Sequence, residues 1–324
     1  MESVRTNIVI ITYNALTYTK VTLMSLFEQT VTPYNLTIVD NNSNIETIEY
    51  LEQLVPPTLC KKFTLIKNNE NAGVGHAYNQ GMDVSFQDGI EFTAFCNNDL
   101  YFSHNWLGKL ENRMIKNRNV AMLSPLRPSA KVSYDKLTST QDMLMQLKGD
   151  GDWLQELAEY TNLPLDQFDK FSDTIINNNG AGKLEIINFP DSLSTCVCLA
   201  RNVYFKKESR FADPRFTGYG SEDIDTSWSI MEQGYDCAVD HSVYVHHFRG
   251  KSLRDNGLDR AQLIKRSNKK LYEKWKHSIE RYIKTKQTKG IDVISLIING
   301  RNSEYWLLYA LNQDEEFIKE YSNV

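Results

Sequence analysis

Over its first 125 residues the chain alternates short apolar runs with longer stretches of helical spacing, and this rhythm constrains the fold more than any other feature. Residues 7–11 (NIVII) read as a buried strand, and 15–29 as a helix with Val21, Met24 and Phe27 on one stripe. A second strand over 36–39 (LTIV) ends on Asp40, and a helix over 45–54 is broken by Pro56-Pro57. Strands follow over 63–66 and 92–96 (FTAFC), with helices over 74–82 and 106–116. Strands that alternate with helices build βαβ units, so the class is α/β with a mostly parallel central sheet and helices on both faces. In such sheets ligands bind beyond the carboxyl ends of the strands. Three polar clusters fall there: Thr12-Tyr13-Asn14, Asp40-Asn41-Asn42 and Asn97-Asn98-Asp99.

The rhythm stops at about residue 129. Residues 141–160 have helical spacing, with Trp153, Leu154 and Leu157 as apolar positions, and 177–180 (NNNG) read as a loop. A strand-like pattern resumes over 189–199, followed by a helix over 223–233, a strand over 239–245 and a charged helical stretch over 258–285. Residues 129–188 therefore read as a helical insertion in one domain spanning 1–255. Residues 256–324 read as a helical C-terminal extension, with an apolar run at 293–298 and a helix at 303–311.

The 41% hydrophobic and 24% charged residues describe a globular chain, and a net charge of −5 offers no footprint for nucleic acid. No run of about 18 apolar residues is present, so no membrane span is expected. The start, MESVRTNIVIITYN, is too short and polar for a signal peptide. A cytoplasmic location is expected, with peripheral contact at the inner membrane face as a further option. Lys265, Arg266, Lys269 and Lys270 would suit anionic lipid, although a solvated helix face is the simpler reading. The five cysteines are odd in number and include no Cys-x-x-Cys pair, which argues for buried free thiols over disulfides or thiolate zinc. Cys196 and Cys198 fall in a strand-like run, where both would point to one face.

Two clusters carry chemistry. Asp99 follows an apolar strand, where a carboxylate can ligate a metal that bridges phosphates; an Asx turn closing the strand is the plainer alternative. Residues 218–225 (GYGSEDID) place three carboxylates where a glycine-rich loop enters a helix. Capping by Ser221 or Asp223 would explain an acid there, and a carboxylate fixed at a helix start is also well placed as a base. His246-His247 follows the strand over 239–245, where an imidazole could complete a metal site. Gly73-x-Gly75 lacks the third glycine of a dinucleotide fingerprint and does not follow the first strand.

In order, these pieces resemble family 2 of the inverting glycosyltransferases, which have the Rossmann-like GT-A fold. The resemblance runs over 7–129 and 189–252. It is carried by seven segments: IVIITYN (8–14), SLFEQT (25–30), TIVDNNS (37–43), NNENAGVGHAYNQGM (68–82), FCNNDLYF (95–102), FADPRFTGYGSEDIDTSWSIMEQGYDCAV (211–239) and HHFRGKS (246–252). It implies donor-nucleotide contacts at Thr12, Tyr13 and Asp40, with Asn71 and Asn79 lining the nucleotide pocket. It implies Asn97 near the ribose or sugar, Asp99 and His246 on Mn2+ or Mg2+, Asp223 as general base and Glu222 beside it. Two positions depart from the family pattern: Asn97 replaces the first acid of the DxD motif, as in rhamnosyltransferase-like members, and Tyr78 stands where many relatives have arginine.

The resemblance implies inverting, metal-dependent transfer of a hexosyl or deoxyhexosyl group. The donor would be UDP-, dTDP- or GDP-linked, and the acceptor a glycan, a lipid-linked glycan or a protein, in surface glycan or glycoconjugate synthesis. Residues 129–188 would face the acceptor. A weakly active nucleotide-sugar or carbohydrate-binding protein is the alternative that Asn97 favours. A sugar nucleotidyltransferase fits less well, because the first turn carries neither glycine nor a basic residue. No oligomeric state follows from the sequence.

Overall fold

The computed structural model describes residues 3–128, 165–205, 211–216, 220–248 and 260–291. Strands β1 (Thr6–Thr12) and β2 (Tyr34–Asp40) have every residue buried. Burial on both faces is why TNIVIIT and YNLTIVD are largely apolar runs and not a clean alternation. Helix α1 (Leu16–Gln29) connects them, and α2 (Ile45–Glu52) leads to β3 (Cys60–Lys67). Helix α3 (Val74–Gln87) leads to β4 (Phe92–Asn97), and these four strands pair in parallel in the order β3-β2-β1-β4.

Beyond β4 come β5 (Leu100–Phe102), α4 (Trp106–Lys116) and β6 (Val120–Leu126). The second half adds α5 (Leu165–Asn178), β7 (Leu184–Ile187), β8 (Val197–Arg201), α6 (Glu222–Glu232), β9 (Asp236–His247) and α7 (Arg260–Gln287). Strand β8 runs antiparallel between β4 and β6, and β9 pairs in parallel with β6. The nine-stranded sheet has the order β3-β2-β1-β4-β8-β6-β9-β5, with β7 also on β9. Strands β1, β2, β3, β4, β6 and β9 thus all point one way, and their carboxyl ends share one edge.

Alternation along β1 divides the core. Ile8 and Ile10 face Leu23 and Leu26 of α1 and Trp106, Leu107 and Leu110 of α4. Val9 and Ile11 face Ala77, Tyr78 and Met82 of α3 and Ile230 of α6. A Cβ on Gly81 would stand 2.2 Å from Val9 Cγ1, so the α3 backbone rests directly on β1. Helix α5 packs Phe168, Phe171 and Ile175 against Tyr101 and Tyr244, and α7 packs Leu271, Trp275 and Ile279 against Trp228 of α6.

Several elements differ from the sequence expectations. The single stripe on α1 is two: Leu23, Leu26 and Phe27 serve the sheet, while Tyr18, Val21 and Met24 meet α5. Asn177 and Asn178 close helix α5 and are not loop. The strand expected over 189–199 is confined to 197–201, because an irregular stretch precedes it. Cys196 therefore lies outside the strand and packs in the core on the opposite side of the sheet from Cys198. Strand β9 extends three residues earlier and two later than expected, through Asp240 and His241. These polar residues are kept inside by Arg113, which donates to Asp240, and by Glu185, 3.0 Å from His241. The elements expected at 141–160, 293–298 and 303–311 lie outside the described residues. Among the described residues no helix is long and apolar enough to cross a membrane.

Candidate active site

The shared carboxyl edge is built from tied turns. Thr12 Oγ1 donates to Asp40 Oδ1 at 3.0 Å, and the Ser43 amide donates to Asp40 Oδ2 at 2.9 Å. The Asn14 amide donates to Ser43 Oγ, and Asn14 Oδ1 accepts from the Asn44 amide. Asn14, Ala15 and Asn42 all have positive φ, a conformation that costs an L residue about 1 kcal/mol or more and is kept here by these cross-ties. Thr12 and Asp40 are buried and Tyr13 is half-buried, which makes Tyr13 the more open of the three expected nucleotide contacts. Asp40 holds the first two turns together.

The other expected pocket residues divide in the same way. Asn71 is exposed, and its Oδ1 accepts from the Gly73 amide to start α3. Asn79 is buried with both ends of its amide on Ala212: Nδ2 donates to the carbonyl at 2.8 Å and Oδ1 accepts from the amide at 2.9 Å. It therefore clamps residues 211–216 onto α3 and does not open onto the edge.

The end of β4 meets the end of β9. Asn97 Oδ1 lies 3.1 Å from the Tyr78 hydroxyl, which also reaches the Thr195 carbonyl at 2.8 Å. The two departures from the family pattern are thus one structural unit, a neutral Tyr78–Asn97 contact. Asn97 Nδ2 faces His247 Nε2 at 3.4 Å. Asp99 is 3% exposed, and its Oδ1 has His247 Nε2 at 3.0 Å without hydrogen-bond alignment, so that oxygen makes no hydrogen bond.

His246, the ligand that the resemblance implies, packs beside Tyr244 and Phe248. Side chains alternate along β9, and His246 shares its face with Tyr244, whose hydroxyl lies 2.9 Å from His246 Nδ1, and with Phe248. His247 is the imidazole beside Asp99. Burial works against a charge on His247, but Asp99 and Cys196 outweigh it and carry the imidazole to about 10. Burial likewise opposes ionisation of Cys196, but His247 and Arg127 bring the thiol down to about 6. An imidazole holding this proton must shed it to ligate a metal. Cys196 and Arg127 had no sequence motif; the path into β8 and the end of β6 bring them beside His247.

The acids of residues 222–225 enter from α6. Ser221 stands at the N-cap with φ 71° and makes no side-chain capping hydrogen bond. Asp223 Oδ1 accepts from the adjacent Ile224 amide. Capping therefore does not account for Glu222 and Asp223. Glu222 is 8% exposed and its Oε2 has no hydrogen-bond partner. Burial, and then the neighbouring Asp223 charge, push Glu222 up to about 8. Burial also raises Asp223, while the Ile224 amide and Arg127 pull it back. Two adjacent carboxyls in a desolvated place retain a proton between them, an arrangement suited to proton transfer. Asp225, by contrast, is engaged by Lys274 and Trp275 of α7.

Comparison with known proteins agrees with this architecture. A family model described as Glycosyl transferase family 2 matches residues 7–168. One similar solved structure is GalNAc-T7 with UDP, GalNAc and Mn2+, at 13% identity over 75% of this chain and 44% of that one, with a TM-score of 0.48. Another is the mannosyltransferase PcManGT from Pyrobaculum calidifontis in complex with GDP-Man and Mn2+, at 15% identity over 85% of this chain and 64% of that one, with a TM-score of 0.50. The chain thus spans less than two thirds of the length of either, and the second likeness shows a shared fold, GT-A. No curated protein matches the sequence. The matched residues span half of the chain and hold β1 to β4 and β6 with the Asn97–Asp99 turn, so the chain belongs to glycosyl transferase family 2.

Proposed function

We propose that the chain transfers a hexosyl or deoxyhexosyl group, with inversion, from a nucleoside diphosphate sugar to an acceptor hydroxyl in glycan or glycoconjugate synthesis. The observation that carries this reading is the Glu222–Asp223 pair. Glu222 is buried and Asp223 half-buried at a helix start whose N-cap makes no side-chain hydrogen bond, and burial raises both carboxyls. In a single displacement Asp223 takes the acceptor proton as that oxygen attacks the anomeric carbon and the nucleoside diphosphate leaves from the opposite face. Glu222, still protonated near neutral pH, donates a hydrogen bond to a sugar hydroxyl. Tyr13, with Thr12 and Asp40 behind it, lines the nucleotide end, and Asn97 faces the ribose or sugar. Residues 1–255 act as the transferase domain and 256–324 as its extension.

A mannosyltransferase of this fold holds GDP-Man and Mn2+, and the same class of donor and cation suits the residues here. Asp99 Oδ1, buried without a hydrogen bond, and His247 at 3.0 Å offer two donors for Mn2+ or Mg2+. Among the described residues no group of three His, Cys, Asp or Glu converges as a ligand set, so phosphate oxygens and water would fill the other positions. A cation bound there would supply positive charge to the departing diphosphate.

The neutral Tyr78–Asn97 contact favours a second reading, a nucleotide-sugar binder with weak turnover. Asp223→Asn separates the two. On the transfer reading it loses turnover by about 10²–10⁴-fold and still shows thermal stabilisation by donor; residual turnover near wild type would remove Asp223 from its role.

A further inference from the structure

Asp225 is 1% exposed, and a carboxylate so buried needs partners. Both come from the C-terminal helix α7. Lys274 Nζ lies 2.8 Å from Asp225 Oδ2 and 2.7 Å from Oδ1, and Trp275 Nε1 donates to Oδ1 at 2.7 Å. The same ammonium reaches Asp213 Oδ2 at 2.8 Å, and Lys270 Nζ donates to the Arg215 carbonyl at 2.8 Å. Trp275 also meets Trp228 of α6 edge to face, with ring centres 5.4 Å apart.

Asp213 and Arg215 belong to the segment 211–216 that Asn79 clamps through Ala212. That segment packs close to Glu222: a Cβ on Gly75 would lie 3.0 Å from both Ala212 Cβ and the Phe216 carbonyl, and 3.8 Å from Glu222 Cβ. One cation therefore joins three parts, namely α7, the segment 211–216 and the first turn of α6.

We propose that α7 is a working part of the active site, and that Lys274 and Trp275 are positioning residues that hold Asp225, and through it Glu222 and Asp223, in the geometry for transfer. The inference rests on the transfer reading above. A point charge on a long flexible stem suits a site that must satisfy two carboxylates at once. The indole N–H then fixes which way Asp225 is turned. Neither side chain has to touch the sugar, so their loss should appear in the chemical step and not in donor binding.

The test compares Lys274→Met and Trp275→Phe with wild type, each at a temperature where melting curves show it fully folded. Lys274→Met should lower kcat about 100-fold, as expected for a misplacement of about 1 Å at the reacting groups. Donor KM and Kd should stay within about twofold. Trp275→Phe keeps a ring against Trp228 and removes only the N–H; it should lower kcat about tenfold with the same unchanged donor binding. If Lys274→Met does not fold, Trp275→Phe decides alone. Wild-type kcat in a folded variant, or a loss confined to KM, would overturn the inference while leaving the transfer reading intact. A wild-type protein that turns over no donor would bring down both.

Discussion

Glu222 and Asp223 are adjacent carboxyls with different surroundings, and the roles proposed for them rest on that difference. Asp223 is half-buried and can meet an acceptor, whereas Glu222 is buried with an unpartnered oxygen. Glu222 releases its proton at about 8 in the fold, against 4.5 when unperturbed. Between these values the folded chain binds more protons than the unfolded one at this site, so stability falls as pH rises through the window. Glu222→Gln cannot titrate. Melting temperature followed from pH 4.5 to 8 should decline more steeply in wild type than in the variant, and parallel curves would contradict the assignment. Residue identities alone conveyed part of this site. The Glu-Asp-x-Asp block was legible because its carboxylates are contiguous. That His247 and not His246 lies beside Asp99 was not, because it depends on which face of β9 each occupies. Asn79 matches a nucleotide-pocket position by motif, yet its amide is spent on Ala212.

At the scale of elements, strands β1, β2 and β4 announce themselves because burial on both faces demands unbroken apolar runs. Strand β5 has three residues, and β6 carries Pro125 at a register shift against β9, so neither gives a strand-like signature. Helix α5 has the spacing of Phe168, Phe171 and Ile175 but ends in asparagines that read as a loop. Helix α3 lies close on β1 at Gly81. Gly81→Ala would drive a methyl group to 2.2 Å from Val9 Cγ1. Overpacking of this kind costs about 1–3 kcal/mol, and the gain of about 1 kcal/mol in helix propensity offsets only part of it. Chemical denaturation should show a net loss for Gly81→Ala, partly recovered by Val9→Ala. An unchanged or raised midpoint would contradict this packing account.

For the whole molecule, the family match ends at residue 168 while the paired acids lie at 222 and 223. The nucleotide end and the proposed base thus come from opposite halves of the sequence, brought to one edge because β4, β6 and β9 point the same way and β8 returns between them. The rhythm of the first half conveyed that edge. The placing of the second half rests on the antiparallel pairing of β8, the parallel pairing of β9 with β6 and the contacts of α7 with α6, which no local pattern encodes. The proposed function joins the two halves in one reaction, and one measurement tests it most directly: nucleoside diphosphate release from UDP-, dTDP- and GDP-sugars with Mn2+, with chelator, and in Asp99→Asn. The account predicts release from one class of donor that is lost on chelation, restored by Mn2+, and impaired in Asp99→Asn. No release from any donor, or full release in the presence of chelator, would contradict it.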